Sequence, residues 1–211
     1  MTSLYLVRHG ETDWNARRRI QGSTDIPLNA TGRMQAQTTG TLLARRSWDG
    51  IYASPLSRAV ETASIISALV GLGQPASIAA IVERNYGEAE GLNWEQIDRQ
   101  FPDDAPVLGR ETHAEVAARV VPALVSLAVS RPGESLIVVT HGGVIRSLVG
   151  AVAPNVSHGS ITNGSIHSFE LVDGSLELVE FNDPIDAESL ECGTEDLDEQ
   201  NALESREALQ N

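Results

Sequence analysis

The chain has 211 residues, 41% of them hydrophobic, which is enough for one domain with a full apolar core. Its formal net charge of −14 argues against a nucleic-acid partner, because a protein that binds a phosphate backbone needs a basic surface. All 15 basic residues are arginines, so chemistry that depends on lysine, such as Schiff bases and phosphate-binding P-loops, is excluded.

The sequence contains no pattern typical of secretion or membrane insertion. No basic segment followed by a long apolar one stands at its start, and no apolar run approaches the roughly 20 residues that span a bilayer. We therefore expect neither a secretory signal nor a membrane partner. Cys192 is the only cysteine, so no intrachain disulfide can form, and this favours a reducing, cytoplasmic location.

The negative charge is concentrated at the C-terminal end of the chain. Residues 183–211 contain ten acids and a single basic residue, Arg206, so the remainder is only mildly acidic. We predict one domain over residues 1–182 and an acidic tail over residues 183–211. The tail is either disordered or a marginal helix that begins near the capping-box pattern at Asp196–Glu199.

Short apolar runs alternate with helical stretches in the first part of the chain. A buried strand is predicted at Leu4–Val7, followed by a long loop and a helix near Gly32–Arg46. A second strand at Ile51–Ala53 precedes a helix near Pro55–Val70, where apolar residues recur at helical spacing.

The middle of the chain is less regular. A short apolar piece at Ile78–Val82 leads into a loop and a small helix near Trp94–Gln100. The stretch Phe101–Glu111 has no clear periodicity and is a candidate lid. Thr112 is placed to cap a helix over His113–Ser130.

The last part of the domain contains the pattern most typical of a strand, Leu136–Val139, followed by a helix to about Val149. Two further strands, Ser165–Val172 and Leu176–Phe181, are joined by Asp173-Gly174 and predict a hairpin. Strands that alternate with helices predict an α/β layered fold with a mostly parallel central sheet.

Three of the predicted strands end in residues suited to binding an anion. Carboxyl ends of parallel strands meet at one edge of a sheet, where ligands bind in open α/β folds. Two histidines and two arginines are therefore expected to converge there, beside glycines that allow a ligand to approach the backbone. The three strand ends are Arg8-His9-Gly10, Ser54–Arg58 and Thr140–Gly143.

Arg58 favours a phosphate ligand over a metal. With Ser54 as N-cap and Pro55 at the first helical position, Arg58 lies in the first turn of a helix, where a cation opposes the helix dipole. A bound anion would offset that cost. Arginine repels a metal ion, whereas its guanidinium group binds phosphate through paired hydrogen bonds. We therefore predict a phosphate site that uses no metal and no other cofactor.

The same motifs resemble the signature of the histidine phosphatase superfamily, the phosphoglycerate mutase-like proteins. The resemblance covers roughly residues 3–180, and its motifs follow the family's order, which makes them highly specific as a group. The matching segments are Arg8–Thr12, Trp14-Asn15, Gln21–Leu28, Ser54–Ala59, Glu83–Gly87 and Thr140–Gly143.

This resemblance implies a three-layer α/β/α sandwich and phosphoryl transfer through a phosphohistidine. In that scheme His9 is the nucleophile, and Arg8, Arg58 and His141 grip the phosphoryl group. Glu83 protonates the leaving oxygen. The other residues expected to bind phosphate are Asn15, Gln21, Gly22, Ser23 and Gly142.

The proposed nucleophile and acid each need a particular protonation state. His9 must be neutral to attack, and neighbouring arginines disfavour its protonated form. Glu83 must carry a proton, which burial favours and the charges of the arginines oppose. The sequence therefore predicts a neutral His9 and leaves both states of Glu83 open.

The family has two branches, phosphatases and mutases, and the sequence has features that resemble each. Residues Glu83–Asn93 resemble the mutase loop, but Trp94 stands where mutases carry a lysine that holds a carboxylated substrate. An arginine-rich mutase insertion is also missing, and Gly142-Gly143-Val144 replaces the Gly-Asn-Ser of mutases. We predict hydrolysis of a small phosphorylated metabolite, with Arg84 and Tyr86 selecting the substrate.

Two alternatives stay open: a phosphoglycerate mutase, and a catalytically silent relative whose acidic tail binds other proteins. Family substrates include sugar phosphates, phosphoglycerate derivatives, phosphoserine and cofactor-precursor phosphates, which these residues do not separate. His113, His158 and His167 lie outside any motif and are expected to be ordinary surface or core residues.

Overall fold

A computed structural model of the chain describes residues 1–102, 105–156 and 159–185. Six strands form one sheet in the order β3-β2-β4-β1-β5-β6. The first four strands in that order run parallel, β5 is antiparallel to β1, and β6 closes the sheet as the second arm of a hairpin. The strands are β1 Ser3–Arg8, β2 Gly50–Ala53, β3 Ala76–Ser77, β4 Ser135–Thr140, β5 Ile166–Val172 and β6 Ser175–Glu180.

Helices cover both faces of this sheet and complete the three-layer α/β/α sandwich that the sequence predicts. Two short 3-10 helices, Ala79–Ile81 and Gly87–Ala89, lie between β3 and α4. The helices are α1 Asp13–Ala16, α2 Ala30–Leu43, α3 Ser57–Val70, α4 Trp94–Gln100, α5 His113–Ser130 and α6 Gly142–Val152.

The central strands divide the apolar core in two because successive side chains of a strand point to opposite faces. Leu136 and Val138 of β4 pack with α5 and α6. Ile137 and Val139 pack with α2 and α3 on the other face. Both faces of β4 are therefore buried, which explains its uninterrupted apolar sequence.

The C-terminal hairpin forms where the sequence predicts it. Asp173 and Gly174 both have positive φ, 49° and 82°, as a tight two-residue turn of the favoured type requires. After β6 the chain continues to Ile185, whose side chain is buried against Trp48 and the other residues of the α2/α3 core. The rest of the predicted acidic tail, including its possible helix, lies outside the described residues.

The start of α3 differs from the prediction. The helix begins at Ser57, and the residue before it, Leu56, makes no side-chain capping bond. Asp25, from the loop before α2, accepts hydrogen bonds from both the N–H and the hydroxyl of Ser57, at 2.8 and 2.7 Å. The prediction of Ser54 as N-cap and Pro55 at the first helical position is wrong, because a carboxylate distant in sequence caps this helix.

Within the described ranges, α5 alone is long and apolar enough, by length and composition, to cross a membrane. Its residues Val116, Val120 and Leu124 recur at helical spacing and are buried in the core beside the sheet. A core helix of an α/β fold passes the same test of length and composition, so α5 is no evidence for a membrane span.

Two glycines allow α2 to pack directly on the loop that follows β1. A Cβ atom on Gly32 would lie 2.1 Å from the carbonyl oxygen of Glu11, and one on Gly10 would lie 2.2 Å from that of Gly32. Such distances are far inside van der Waals contact, so neither position accepts a side chain without a backbone shift. The close approach fixes the loop that begins with His9.

Gly32→Ala should therefore lower the free energy of unfolding, by about 1–3 kcal/mol, because the new methyl group overpacks a rigid backbone contact. Gly150→Ala is a matched control in another helix: among the described residues, no atom outside its own stretch of helix lies within 4 Å of its Cβ position, so it should raise that energy by about 0.4–1 kcal/mol. Urea denaturation measures both changes. A Gly32→Ala protein as stable as the wild type would contradict the packing described.

Candidate active site

The ends of β1, β4 and the neighbouring β2 bring five buried polar side chains together at one edge of the sheet. The imidazole rings of His9 and His141 lie with their centroids 5.1 Å apart. Arg8 and Arg58 lie near enough to both rings to lower the pKa of each. The structure thus brings the two histidines and the two arginines together at this edge of the sheet. The five residues are Arg8, His9, Ser54, Arg58 and His141.

The His9 ring is held in one tautomer. Its Nδ1 lies 2.7 Å from the carbonyl oxygen of Gly10, which can only accept a hydrogen bond, so the proton is on Nδ1. Burial, together with the charges of Arg58 and Arg8, holds the pKa of His9 well below its usual value. The ring is therefore neutral, and the lone pair of Nε2 is available for attack.

His141 is likewise kept neutral. Burial lowers its pKa most, and the charge of Arg58 lowers it further. Its Nε2 lies 2.7 Å from the hydroxyl oxygen of Ser54, and its Nδ1 has no hydrogen-bond partner within the described ranges.

The two arginines are anchored by main-chain carbonyl groups. Arg8 donates to the carbonyl of Ile161 at 2.6 Å. Arg58 donates to the carbonyls of Thr24 and Gly22, each at 2.8 Å. Burial lowers the pKa of Arg58 to about 10, although the nearby Glu83 raises it, so the guanidinium stays charged at neutral pH.

Several buried nitrogen atoms of this site have no hydrogen-bond partner in the part of the chain that the structure describes. They belong to Gln21 (Nε2), Arg58 (Nε) and His141 (Nδ1). An unsatisfied buried polar group costs about 1–3 kcal/mol, so such groups are rare without a reason. The Gln21 and Arg58 nitrogens are donors, and unsatisfied donors beside two buried positive charges are what a tetrahedral oxyanion would satisfy.

Asn15 and Gln21 both contact the hydroxyl of Thr12. Thr12 caps α1 in a reciprocal capping box with Asn15, and its hydroxyl lies 2.9 Å from Oε1 of Gln21. The contacts orient both amide side chains beside the strand end, where the sequence expects them to bind phosphate.

The loop that contains Gly22 and Ser23 is fixed by a residue that the sequence analysis did not single out, Glu90. Its carboxylate accepts hydrogen bonds from the N–H and hydroxyl of Ser23 and of Thr24, and from the N–H of Tyr86. The N–H and hydroxyl of Ser23, expected to bind phosphate, thus both donate to Glu90. Glu90 lies just before Gly91 in the mutase-like segment, which is the only sequence signal that could have indicated it.

Glu83 belongs to the loop between the two 3-10 helices, lies beside the first turn of α6 and is almost completely buried. Its carboxylate accepts from the N–H of Arg84 at 2.7 Å and from the N–H of Gly143 at 3.3 Å. Arg119 of α5 donates to the Glu83 carbonyl and forms a two-pronged ion pair with Glu111. No motif surrounds Arg119 or Glu111, so only the tertiary structure identifies this support.

The two residues expected to select the substrate pack together. The guanidinium of Arg84 lies 5.1 Å from the ring centroid of Tyr86, and its Nε donates to the carbonyl of Glu111 at 2.6 Å. His113, expected to be an ordinary residue, contacts both Arg84 and the hydroxyl of Ser147. It thereby joins α5 and α6 to the loop after Glu83.

The remaining residues predicted from sequence have simpler positions. A Cβ on Gly142 would lie 3.5 Å from Nε of Arg8, which is an ordinary van der Waals contact. His167 is buried, and its ring nitrogens contact the hydroxyl of Ser165 and the N–H of Asn182. His158 lies outside the described residues. In the candidate lid, Phe101 and Val107 pack against an apolar cluster that includes Tyr86.

The neutral state of the two buried histidines predicts a pH dependence of stability. As the pH falls through the unfolded-state pKa of about 6.5, the unfolded chain binds protons that the folded protein does not. The free energy of unfolding should therefore decrease from pH 7.5 to 5.5, by at most about 1.4 kcal/mol per pH unit for each histidine.

Urea denaturation across this pH range measures how the free energy of unfolding changes with pH. This change should be smaller in the double variant His9→Gln/His141→Gln. An equal slope in the wild type and the double variant would show that these rings are not the source.

Comparison with known proteins agrees with the geometry. The histidine phosphatase superfamily (branch 1) matches residues 4–184. PhoE of Bacillus subtilis, described as an uncharacterized phosphatase, is 36% identical over 185 residues, which are 86% of this chain and 95% of PhoE. A 2,3-bisphosphoglycerate-dependent phosphoglycerate mutase of Rhizobium etli is 34% identical over 165 residues, 70% of this chain and 78% of the mutase.

The fold is also shared with solved structures. The phosphoserine phosphatase of Entamoeba histolytica in complex with 3-phosphoglyceric acid superposes with a TM-score of 0.73 at 29% identity, over 87% of this chain and 98% of that one. Because the family match spans nearly all of the domain, the resemblance noted in the sequence is confirmed. The chain belongs to the histidine phosphatase superfamily and is a phosphatase with the phosphoglycerate mutase-like fold.

Proposed function

We propose that this protein hydrolyses a phosphomonoester of a small metabolite through a phosphohistidine on Nε2 of His9, without a metal ion. The observation that carries the proposal is the neutral His9 ring, whose Nδ1–H is held by Gly10, beside buried positive charge and unsatisfied donors. Such a site combines a nucleophile with electrostatic stabilisation of the transferring group, the two requirements of phosphoryl transfer.

In the first step Nε2 of His9 attacks phosphorus, and the bond from phosphorus to the ester oxygen breaks. The leaving oxygen takes a proton from Glu83, which the N–H groups of Arg84 and Gly143 hold in place. In the second step the oxygen of a water molecule attacks phosphorus, and the Glu83 carboxylate takes a proton from that water. The N–P bond breaks, inorganic phosphate leaves and both residues return to their initial states.

Arg8 and Arg58 supply the charge that a metal ion provides in other phosphoryl-transfer enzymes. Two guanidinium groups balance a phosphoryl dianion, and their hydrogen bonds match its oxygen atoms. The same two charges repel a cation, which favours catalysis without a metal. The single cysteine, in a chain that can form no internal disulfide, supports the further proposal of a cytoplasmic location.

The substrate we propose is a small phosphorylated metabolite, as for the neighbours whose complexes contain such compounds. We further propose that Arg84, which follows Glu83 in the chain, and Tyr86, whose ring centroid lies 5.1 Å from the Arg84 guanidinium, contact the part of the substrate beyond phosphate. A panel of phosphorylated metabolites, ranked by kcat/KM, identifies the preferred substrate.

His9→Ala should reduce release of phosphate from an aryl phosphate by about a thousandfold or more, because it removes the nucleophile. Arg33→Ala, on the exposed side of α2, is the control and should retain full activity. Alkaline quenching during turnover should trap phosphate on the wild type and not on His9→Ala, and EDTA should leave the rate unchanged. Undiminished turnover by a folded His9→Ala protein would overturn the proposal.

A mutase is the second candidate, favoured by the relationship to the Rhizobium etli enzyme. Against it, Trp94 packs beside the apolar cluster that contains Tyr86, at the position where the mutase loop has its lysine. With 3-phosphoglycerate as substrate, and 2,3-bisphosphoglycerate present, we expect phosphate release to exceed isomerisation. Faster isomerisation would favour the mutase.

A further inference from the structure

We infer that Ser54 is a positioning residue that keeps the proton of His141 on Nδ1, so that Nδ1–H donates to the transferring phosphoryl group. This inference rests on the proposed function. No motif singles out the pair, because the two residues lie 87 positions apart in the chain.

Sheet pairing brings Ser54 and His141 together. Ala53, the last residue of β2, pairs with Val139 of β4, and the N–H of Ser54 donates to the carbonyl of Val139 at 2.9 Å. The two strands thus place Ser54 beside the residue that follows β4. Both side chains are fully buried, and Oγ of Ser54 lies 2.7 Å from Nε2 of His141.

Counting donors and acceptors decides which atom carries the hydrogen. Ser54 Oγ has one further neighbour among the described residues, the N–H of Leu56 at 3.4 Å, which is a donor. If Nε2–H of His141 donated to Ser54, the Ser54 hydroxyl hydrogen would have no acceptor, and a buried lone pair on Nδ1 would face any bound anion. If the hydroxyl donates to Nε2, every group is satisfied except Nδ1–H.

That remaining donor is the one the phosphate site needs. Nδ1 of His141 is buried without a partner within the described ranges. Because the ring is neutral, it supplies a donor only if its single proton is on Nδ1. A neutral donor also adds no third positive charge beside Arg8 and Arg58. With the Ser54 hydroxyl bonded to Nε2, the buried neutral histidine keeps an N–H that is available to a phosphoryl oxygen.

The chain contains a comparable pair with the opposite tautomer. Nδ1 of His167 accepts a hydrogen bond from the N–H of Asn182 at 3.2 Å, so its proton lies on Nε2. Nε2 then donates to the hydroxyl of Ser165 at 2.9 Å. A buried serine beside a buried histidine does not by itself set the tautomer; the other contacts of each group do.

The direct test is nitrogen-15 NMR of the imidazole rings in the unliganded protein, with the His141 signals assigned by their loss in His141→Gln. In the wild type the proton should be on Nδ1. In Ser54→Ala it should move wholly or partly to Nε2, because the hydrogen bond to Nε2 is lost. Ser165→Ala should change the signals of His167 and leave those of His141 in place.

Kinetics with an aryl phosphate test the consequence. Ser54→Ala should lower kcat about 10- to 100-fold with a smaller change in KM, since a donor that acts on the transferring group is lost. Ser54→Thr, which retains the hydroxyl, should recover part of the loss. Ser168→Ala removes another buried hydroxyl, one with no hydrogen-bond partner among the described residues, and should leave kcat unchanged.

A wild-type His141 protonated on Nε2 would overturn the inference even if Ser54→Ala failed to fold. So would a proton that stays on Nδ1 in Ser54→Ala. These results are independent of the proposed function, because the tautomer is read without substrate. If His9→Ala were inactive and wild-type His141 carried its proton on Nε2, the proposed hydrolysis would be supported and only the inference about Ser54 would be wrong.

Discussion

Two positively charged guanidinium groups, Arg8 and Arg58, are buried side by side, and the rest of the site follows from this constraint. Burial of unneutralised charge is costly unless hydrogen bonds and an opposite charge compensate for it. Main-chain carbonyls of Ile161, Gly22 and Thr24 supply part of the compensation. The phosphoryl group of the proposed substrate would supply more.

Burial and the same positive charge together determine the state of the histidines. A protonated imidazole beside two guanidinium groups would add a third buried charge, so His9 and His141 stay neutral. A neutral imidazole has one donor and one acceptor nitrogen, and the local contacts of each ring determine which nitrogen carries the proton. The carbonyl of Gly10 holds the proton of His9 on Nδ1 and leaves the lone pair on Nε2, the atom that attacks phosphorus in the proposed mechanism. The contact with Ser54 fits the opposite orientation of His141, with a donor outward.

Rigid supports hold these groups from several parts of the chain. Asp25 ties the loop after Gln21 to the start of α3, and Glu90 ties the same loop to the segment after Glu83. Arg119, paired with Glu111, fixes the main chain at Glu83 from the opposite side. Positions held by several hydrogen bonds are what in-line phosphoryl transfer demands, because small displacements reduce its rate steeply.

The amino-acid sequence by itself determined the layered fold, the parallel strands and the groups at their ends. Hydrophobic periodicity is local, and parallel strands necessarily bring their carboxyl ends to one edge, so Arg8, His9 and His141 could be located before any coordinates. The residue that caps α3 could not be predicted from the sequence. Ser54-Pro55 has the local pattern of a helix start, yet Asp25, which is remote in sequence, caps the helix instead.

Only the tertiary structure decided which polar groups pair. A hydrogen bond forms only when donor and acceptor lie within a few tenths of an ångström of about 2.9 Å, and no spacing rule in the sequence encodes such distances between segments that are far apart in the chain. The roles of Glu90, Arg119 and Ser54 became visible only when sheet pairing and loop packing placed their partners beside them. Residue types at strand ends therefore indicate the chemistry of the site, and packing sets the protons and orientations with which it works.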